Sequence, residues 1–411
     1  MPMPSRFSGT YPLQLHDAPP IHLTYCLNIH QGETWEENFR AIRQHTLRVR
    51  QEVCPNQPFG LGLRLSRKAA ETLWQTERLN EFKRFLSSSN LYVFTVNGFP
   101  YGQFHETRIK ENVYSPDWQQ TERNEYTLIL ARILASLLPQ GVCGSINTVP
   151  GTYKRWLKNT SQKTAILDML TKCAVELAAL RDETGKTITV GLEPEPDCML
   201  ETTDECVDFF AQLTRRAEQL TPGNGECIRR HMGICFDTCH MAVQYEDICA
   251  SLKTLQENNI TVAKIHLSNA LATDRLSNNT KKLAPFTESI YLHQVKTRKE
   301  NSIYSYPDLD AAITDRPADE EWRIHCHVPL FFSGNNHFRT LQKNLSPEFF
   351  RLLCSGITPH LEIETYTFDI LPPSMREKDV AKSIVREYNW VLENLSGVYT
   401  PILEEKNHAH N

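Results

Sequence analysis

Four polar residues stand at the carboxyl ends of four apolar runs in the later half of the chain. They are Glu193 in Val190-Gly191-Leu192-Glu193-Pro194-Glu195-Pro196, Asp237 in Gly233-Ile234-Cys235-Phe236-Asp237-Thr238-Cys239-His240, His266 in Ala263-Lys264-Ile265-His266-Leu267-Ser268, and Glu364 in His360-Leu361-Glu362-Ile363-Glu364-Thr365-Tyr366. Three carboxylates gathered at one point demand either protonation or a cation. Hard oxygens with a single imidazole suit a divalent ion that keeps positions open for substrate oxygens, such as Mn²⁺, Zn²⁺ or Fe²⁺. Taken singly, each residue could equally be a turn cap or a buried, paired group. Asp237-x-x-His240 is the more specific pattern. It lets Asp237 ligate while His240 orients a substrate or adds a second ligand, the plain alternative being an Asp helix cap beside an incidental histidine. The two-residue period of a strand points Glu362 and Glu364 to the same face, and Glu364, nearer the carboxyl end, is the better ligand. Pro194 and Pro196 end strand pairing after Glu193, which favours Glu193 over Glu195.

Such residues converge only if the runs carrying them are neighbouring parallel strands. Eight short apolar runs can be counted: His22–Ile29, Phe59–Leu65, Leu91–Asn97, Val142–Thr148, Thr187–Glu193, Met232–Asp237, Val262–Leu267 and His360–Thr365. Each is followed by a segment of helical periodicity, the mark of repeated βα units with strands covered on both faces. Helix starts are legible at Thr34, at Ser66 and in the capping box Thr202-x-x-Glu205, and stops at Gly141, Gly185 and Asn258-Asn259. Eight such units most simply close into an α/β (β/α)8 TIM barrel, although periodicity alone also allows an open doubly wound sheet. The expected site is then the carboxyl-end mouth of the barrel.

About 90 residues, roughly 269–359, separate the seventh and eighth runs and read as one long insertion in a single domain spanning 1–411. Its first half, through Asp274, Asn278, Lys281, Lys299 and Asn301, is polar and weakly patterned. Its second half holds a strand-like run, Arg323 to Phe332, and an amphipathic helix at Pro347–Leu353. A connection of that length on a barrel reads as a lid or site-building loop. At the other strand ends, His30, Asn97 and Asn147 put neutral hydrogen-bonding groups opposite the acidic side of the mouth, where they could hold a polyol. His325-x-His327 places two imidazoles on one face of an extended insertion strand, with His327 also counted as a substrate-binding candidate.

With 44 Lys+Arg against 49 Asp+Glu the chain has a net charge of −5, and its basic residues form no stripe, so nucleic acid is not an expected partner. The segment from Met1 to Arg6 leads into no apolar leader and no window approaches a membrane span, which predicts a cytoplasmic protein without direct membrane insertion. The 12 cysteines sit singly with no C-x-x-C pair, as reduced thiols would.

The four strand ends together resemble the xylose-isomerase-like TIM barrels, the superfamily of sugar-phosphate isomerases, ketose epimerases and endonuclease-IV-type enzymes. That resemblance implies metal ligands at Glu193, Asp237, His266 and Glu364, acid and base roles for Glu193 and Glu364, and a substrate contact at His240. Endonuclease-IV-like members carry a D-x-H for additional metals in the loop comparable to His325-x-His327. The Asp is replaced here, so a second metal and plain structural histidines both stay open. Phosphodiester cleavage would need a basic groove that the charge does not supply. A closer resemblance, to the EboE-type metabolite traffic proteins, runs through Thr24-Tyr25-Cys26-Leu27-Asn28-Ile29-His30-Gln31-Gly32-Glu33-Thr34-Trp35, Val96-Asn97-Gly98-Phe99-Pro100-Tyr101-Gly102, Asn147-Thr148-Val149-Pro150-Gly151-Thr152, Leu192-Glu193-Pro194-Glu195-Pro196, His325-Cys326-His327-Val328-Pro329 and Glu364-Thr365-Tyr366-Thr367. It implies a role in moving secondary-metabolite precursors for export, with a membrane-bound ebo-cluster partner. Two functions follow: isomerase- or epimerase-like proton transfer on a small oxygen-rich metabolite, or non-catalytic escort of that cargo.

Overall fold

The apolar runs become eight parallel strands because nearly every residue in them is shielded on both faces. The computed structural model describes residues 20–104, 109–274, 283–287, 290–300, 302–315 and 321–408. Strands β1 (His22–Tyr25), β2 (Phe59–Arg64), β3 (Leu91–Asn97), β4 (Gly144–Thr148), β5 (Ile188–Leu192), β6 (Met232–Asp237), β7 (Val262–Leu267) and β13 (His360–Ile363) follow one another around a barrel in the order β1-β13-β7-β6-β5-β4-β3-β2. The ring is nearly closed. At the remaining seam the Thr24 hydroxyl stands in for a ladder, donating to the Gly60 carbonyl at 2.9 Å and accepting from the Gly62 N–H at 2.9 Å, beside a single Cys26–Gly62 bridge.

Helices cover the outside and start where the caps predict. Thr34 with Glu37 and Thr202 with Glu205 form reciprocal capping boxes, Ser66 accepts from the Ala69 N–H, and Gly185 ends its helix at φ 69°. The first helical region is not uniform: a π-helical turn at Ile42–Thr46 carries Thr46 to the Tyr25 hydroxyl, 2.7 Å away, and stacks His45 on His30. No helix among the described residues is long and apolar enough to cross a membrane.

The insertion builds a second, antiparallel sheet. Its strands β8 (Asn269–Asp274), β9 (Val295–Lys299), β10 (Ser302–Tyr306), β11 (Glu321–Val328) and β12 (Arg339–Thr340) lie in the order β10-β9-β11-β8-β12 around a separate apolar cluster that includes Trp322, Ile324, Val295 and Leu271. The run from Arg323 stops as a strand at Val328, because Pro329 cannot donate to the ladder. The polar first half contains β9 and β10, which the pattern concealed because β10 is an edge strand exposed along most of its length. Asn278, Lys281 and Asn301 fall outside the described residues.

Two contacts seat this sheet over the barrel mouth. Tyr245 lies between the guanidiniums of Arg323 and Arg298, 3.9 and 4.5 Å from its ring centre, and donates to the Glu321 carbonyl. Lys296, 1% exposed, reaches Asp197 at 3.2 Å and Glu201 at 3.3 Å in the loop after β5.

The C-terminal helix (Val380–His408) locks the other side. Buried Glu387 accepts from the Thr365 hydroxyl at 2.7 Å and from the Leu330 N–H at 3.0 Å. Burial raises its carboxyl from an ordinary 4.5 to about 7. The folded value lies above that of the unfolded chain, so the native state keeps the proton longer. Stability is intact below the unfolded value and falls as pH rises through 7. Glu387→Gln should therefore unfold at higher urea than wild type at pH 8, by about 3 kcal/mol at most, and with little difference at pH 4.5. An unchanged wild-type dependence in the variant would assign the slope to other groups.

Candidate metal centre

The barrel brings Glu193, Asp237, His266 and Glu364 to one point. Each offers a donor atom, and the four atoms lie within 4.8 Å of one another with every side chain buried. His266 is the hub. Its Nδ1 is 2.9 Å from Glu193 Oε1, 3.1 Å from Glu364 Oε2 and 3.7 Å from Asp237 Oδ2. Backbone bonds set the two glutamates just past their strands: Glu193 N donates to the Thr148 carbonyl and Glu364 N to the Leu267 carbonyl, both at 3.0 Å.

Asp237 is both cap and candidate ligand. Its Oδ1 accepts from the N–H groups of Cys239 and His240, at 2.7 and 3.1 Å, and from the Ser268 hydroxyl at 2.6 Å. Its Oδ2 is buried with no hydrogen-bond partner and faces the other three donors. A buried carboxylate oxygen left unsatisfied is costly, and a cation is the ordinary remedy. Burial alone would push the Asp237 pKa up, but His240, His327 and His266 hold it well below the usual range. His266 is likewise desolvated, yet Cys235, Glu364 and Glu193 raise it well above an ordinary imidazole. A protonated His266 offsets one of the three negative charges, and a divalent ion in the cluster would offset two.

A positioning chain lies beneath. His266 Nε2 is 2.9 Å from Glu362 Oε2, and the same oxygen is 2.5 Å from the ammonium of Lys264, both Lys264 and Glu362 being fully buried. Glu362 therefore fixes the ring so that Nδ1 faces the ligand set. Gly62 on β2 is required here: a Cβ would lie 2.1 Å from the Glu362 carboxylate.

His240 donates from Nδ1 to the Pro194 carbonyl at 2.9 Å, with Nε2 3.9 Å from Asp237 Oδ1. His325 and His327 arrive from β11 at a register shift between Ile324 and His327. Their Nδ1 atoms are engaged, by Gln294 Oε1 at 2.8 Å and by the Glu364 carbonyl at 2.9 Å, while both Nε2 atoms are buried without partners. Burial, with His240 and His327 nearby, keeps His325 neutral. Asp237, His240 and His327 form a second group of donors within 4.8 Å, as do Cys239, His325 and His327. A second ion could be held there.

The asparagines orient carboxylates. Asn147 donates to Glu193 Oε2 at 2.7 Å, and Asn97 to Glu364 Oε1 at 3.2 Å. Asn28, which was not singled out, donates to the same Glu364 oxygen at 2.8 Å. Strand β1 ends at Tyr25 rather than Ile29, and a 3-10 turn at Leu27–Ile29 follows. His30 consequently turns outward, bonds the Tyr25 hydroxyl at 3.1 Å and lines a separate open groove of about 740 Å³. Glu195, passed over in favour of Glu193, also borders the cavity above the ligand cluster. It accepts from the Tyr114 hydroxyl at 2.8 Å, and burial lifts it to about 8. Its signal was the Glu-Pro-Glu-Pro alternation itself.

No family model matches the chain, and no curated protein matches it in sequence. Among solved structures it is similar to a xylose isomerase-like TIM barrel protein from Mycobacterium smegmatis in complex with magnesium, with TM-score 0.52 and 11% identity over 93% of this chain and 98% of that one. An L-ribulose 3-epimerase gives TM-score 0.49 at 10% identity over 93% and 96%, and a D-tagatose 3-epimerase-like protein 0.48 at 12% over 93% and 100%. The fold is that of the xylose-isomerase-like TIM barrels.

The Lys264–Glu362 pair can be tested apart from the ligands. A Glu362→Gln/Lys264→Met double variant should keep its fold by circular dichroism yet bind Zn²⁺ about 10- to 100-fold more weakly. Glu362→Gln alone should in addition lose about 3–5 kcal/mol of stability, because it strands a buried ammonium. Wild-type Zn²⁺ affinity in the double variant would remove Glu362 from any positioning role.

Proposed function

We propose that the barrel mouth is a divalent-metal site at which a small oxygen-bearing metabolite undergoes isomerase- or epimerase-like proton transfer beside a carbonyl. The chemistry would serve metabolite traffic of the EboE type, with a membrane-bound partner receiving the product for export. The observation that carries this reading is the four-donor cluster around His266 with the unsatisfied Asp237 Oδ2 facing it. Glu193, Asp237, His266 and Glu364 would hold the ion. When bound it would polarise the substrate carbonyl as a Lewis acid. The fold relative solved with magnesium supports a divalent ion of this kind.

The protein's own groups supply the proton steps. Glu193 and Glu364 each have one oxygen held by amide donors, from Asn147 on one and from Asn28 and Asn97 on the other. Fixed in this way, the two carboxylates can take a proton from one carbon and return it to its neighbour or to the opposite face. Burial opposes charge on His240, but Asp237, Glu195, Glu193 and Glu364 raise its pKa, so it can donate to a substrate oxygen. Tyr291, Tyr366 and Phe104 border the cavity, and their rings would limit the access of bulk water to the abstracted proton.

Wild-type protein should purify with a divalent metal, and Glu193→Gln and His266→Ala should each lower its occupancy severalfold by elemental analysis. Wild type, but neither variant, should also wash solvent deuterium into the carbon beside the carbonyl of ketoses, read by NMR. Wild-type protein that takes up no metal sinks the proposal. Bound metal and ligand without exchange would move the function to escort of unaltered cargo.

A further inference from the structure

We infer, resting on the metal-site reading above, that the molecule this site takes is uncharged and carries an aryl or similar flat apolar group beside its oxygens, rather than a phosphate. The cavity has two unlike walls. Its floor is the polar set around Glu193 and Glu364, whereas its roof is a triangle of rings from three separate segments: Phe104 after β3, Tyr291 in the insertion and Tyr366 after β13. Their centres are 5.3 Å (Phe104–Tyr291), 5.4 Å (Phe104–Tyr366) and 5.1 Å (Tyr291–Tyr366) apart, in edge-on or tilted contact. Phe104, Ile109 and Tyr291 form an apolar cluster of their own, apart from the barrel core.

The space left beneath the roof is about 60 Å³. That is room for about two water molecules. A larger ligand that displaces the rings exposes apolar surface that each ring had buried in its neighbours. A bare polyol would set hydroxyls against that surface. A flat apolar substituent restores the lost ring contacts while the oxygens stay on the floor. Phe104 also borders the open groove of about 740 Å³, so displacement of this one ring joins cavity and groove and gives the substituent somewhere to extend.

The acidic lining disfavours the phosphorylated alternative. Glu193, Glu195 and Glu364 line the cavity, with Asp237 behind them, and the one Lys or Arg among the described lining residues is Lys110. Its ammonium sits 2.5 Å from Asp308. Phosphate pockets are commonly built from converging Arg or Lys groups, and no such convergence lines this cavity among the described residues.

The test is calorimetric titration of the metal-loaded protein with phenyl β-D-glucoside, methyl β-D-glucoside and glucose 6-phosphate. The phenyl compound should bind about tenfold or more tightly than the methyl compound, in the range that an apolar increment in a pocket supplies, and the phosphate should bind most weakly. Phe104→Ala and Tyr291→Ala should erase the preference for the phenyl over the methyl compound, while the conservative Phe104→Leu retains part of it. Equal affinity for the phenyl and methyl compounds, tightest binding of the phosphate, or no binding of the phenyl compound overturns the inference. Metal content measured on the same samples separates the two failures: a metal-loaded protein without the preference sinks the substrate class alone, and a protein that takes up no metal sinks the site.

Discussion

The centre depends on one imidazole held between opposite demands. His266 has Glu362, backed by Lys264, on its Nε2 side and three carboxylates on its Nδ1 side. Charges alternate along this chain from ammonium to carboxylate to imidazole to acids, and each is buried. Buried charges are tolerable only as a complete network, since removal of one member leaves its neighbour unpaired in a medium that cannot solvate it. The same network reaches the barrel seam. Glu362 occupies the space beside Gly62 that a side chain would fill, and Gly62 is the residue whose N–H the Thr24 hydroxyl captures. Closure of the barrel and orientation of the hub imidazole therefore use the same few residues.

Strand ends were legible because the physics of a two-faced buried strand leaves little choice: apolar until the tip, polar where the mouth begins. Glu193, Asp237, His266 and Glu364 were found that way, and the fold with them. Local turns were not legible at the same level. A run counted to Ile29 ends as a strand at Tyr25, and the 3-10 turn that follows turns Asn28 inward and His30 away. No period announces three residues of 3-10 helix. Strands β9 and β10 were hidden for a different reason: an edge hairpin with one wet face has no apolar run to read.

Asp237 shows how two readings that compete in a sequence can both hold in a structure. The cap uses Oδ1, which accepts three hydrogen bonds, and the cap's geometry presents Oδ2 to the other candidate ligands. The capping bonds orient the carboxylate at the start of the Thr238–Val243 helix without consuming it. His325 and His327 follow the same logic, each with Nδ1 committed and Nε2 left bare.

The insertion is mechanically part of the centre, and this limits how the cavity can open. Strand β8 leaves the barrel two residues after Leu267, so it is tied to the strand that carries His266. Strand β11 is tied to the strand that carries Glu364, through the bond from His327 Nδ1 to the Glu364 carbonyl and through the Thr367 hydroxyl, which donates to the His327 carbonyl. Lifting the insertion sheet as a rigid lid would drag on two of the four candidate ligands and break the Arg–Tyr245–Arg stack and the buried Lys296 pairs. The contacts of Phe104 with Tyr291 and Tyr366 are ring to ring, with centres 5.3 and 5.4 Å apart, and involve none of the four candidate ligands. Movement of the rim rings with the sheet left seated would admit a ligand without dismantling the donors that would hold its ion.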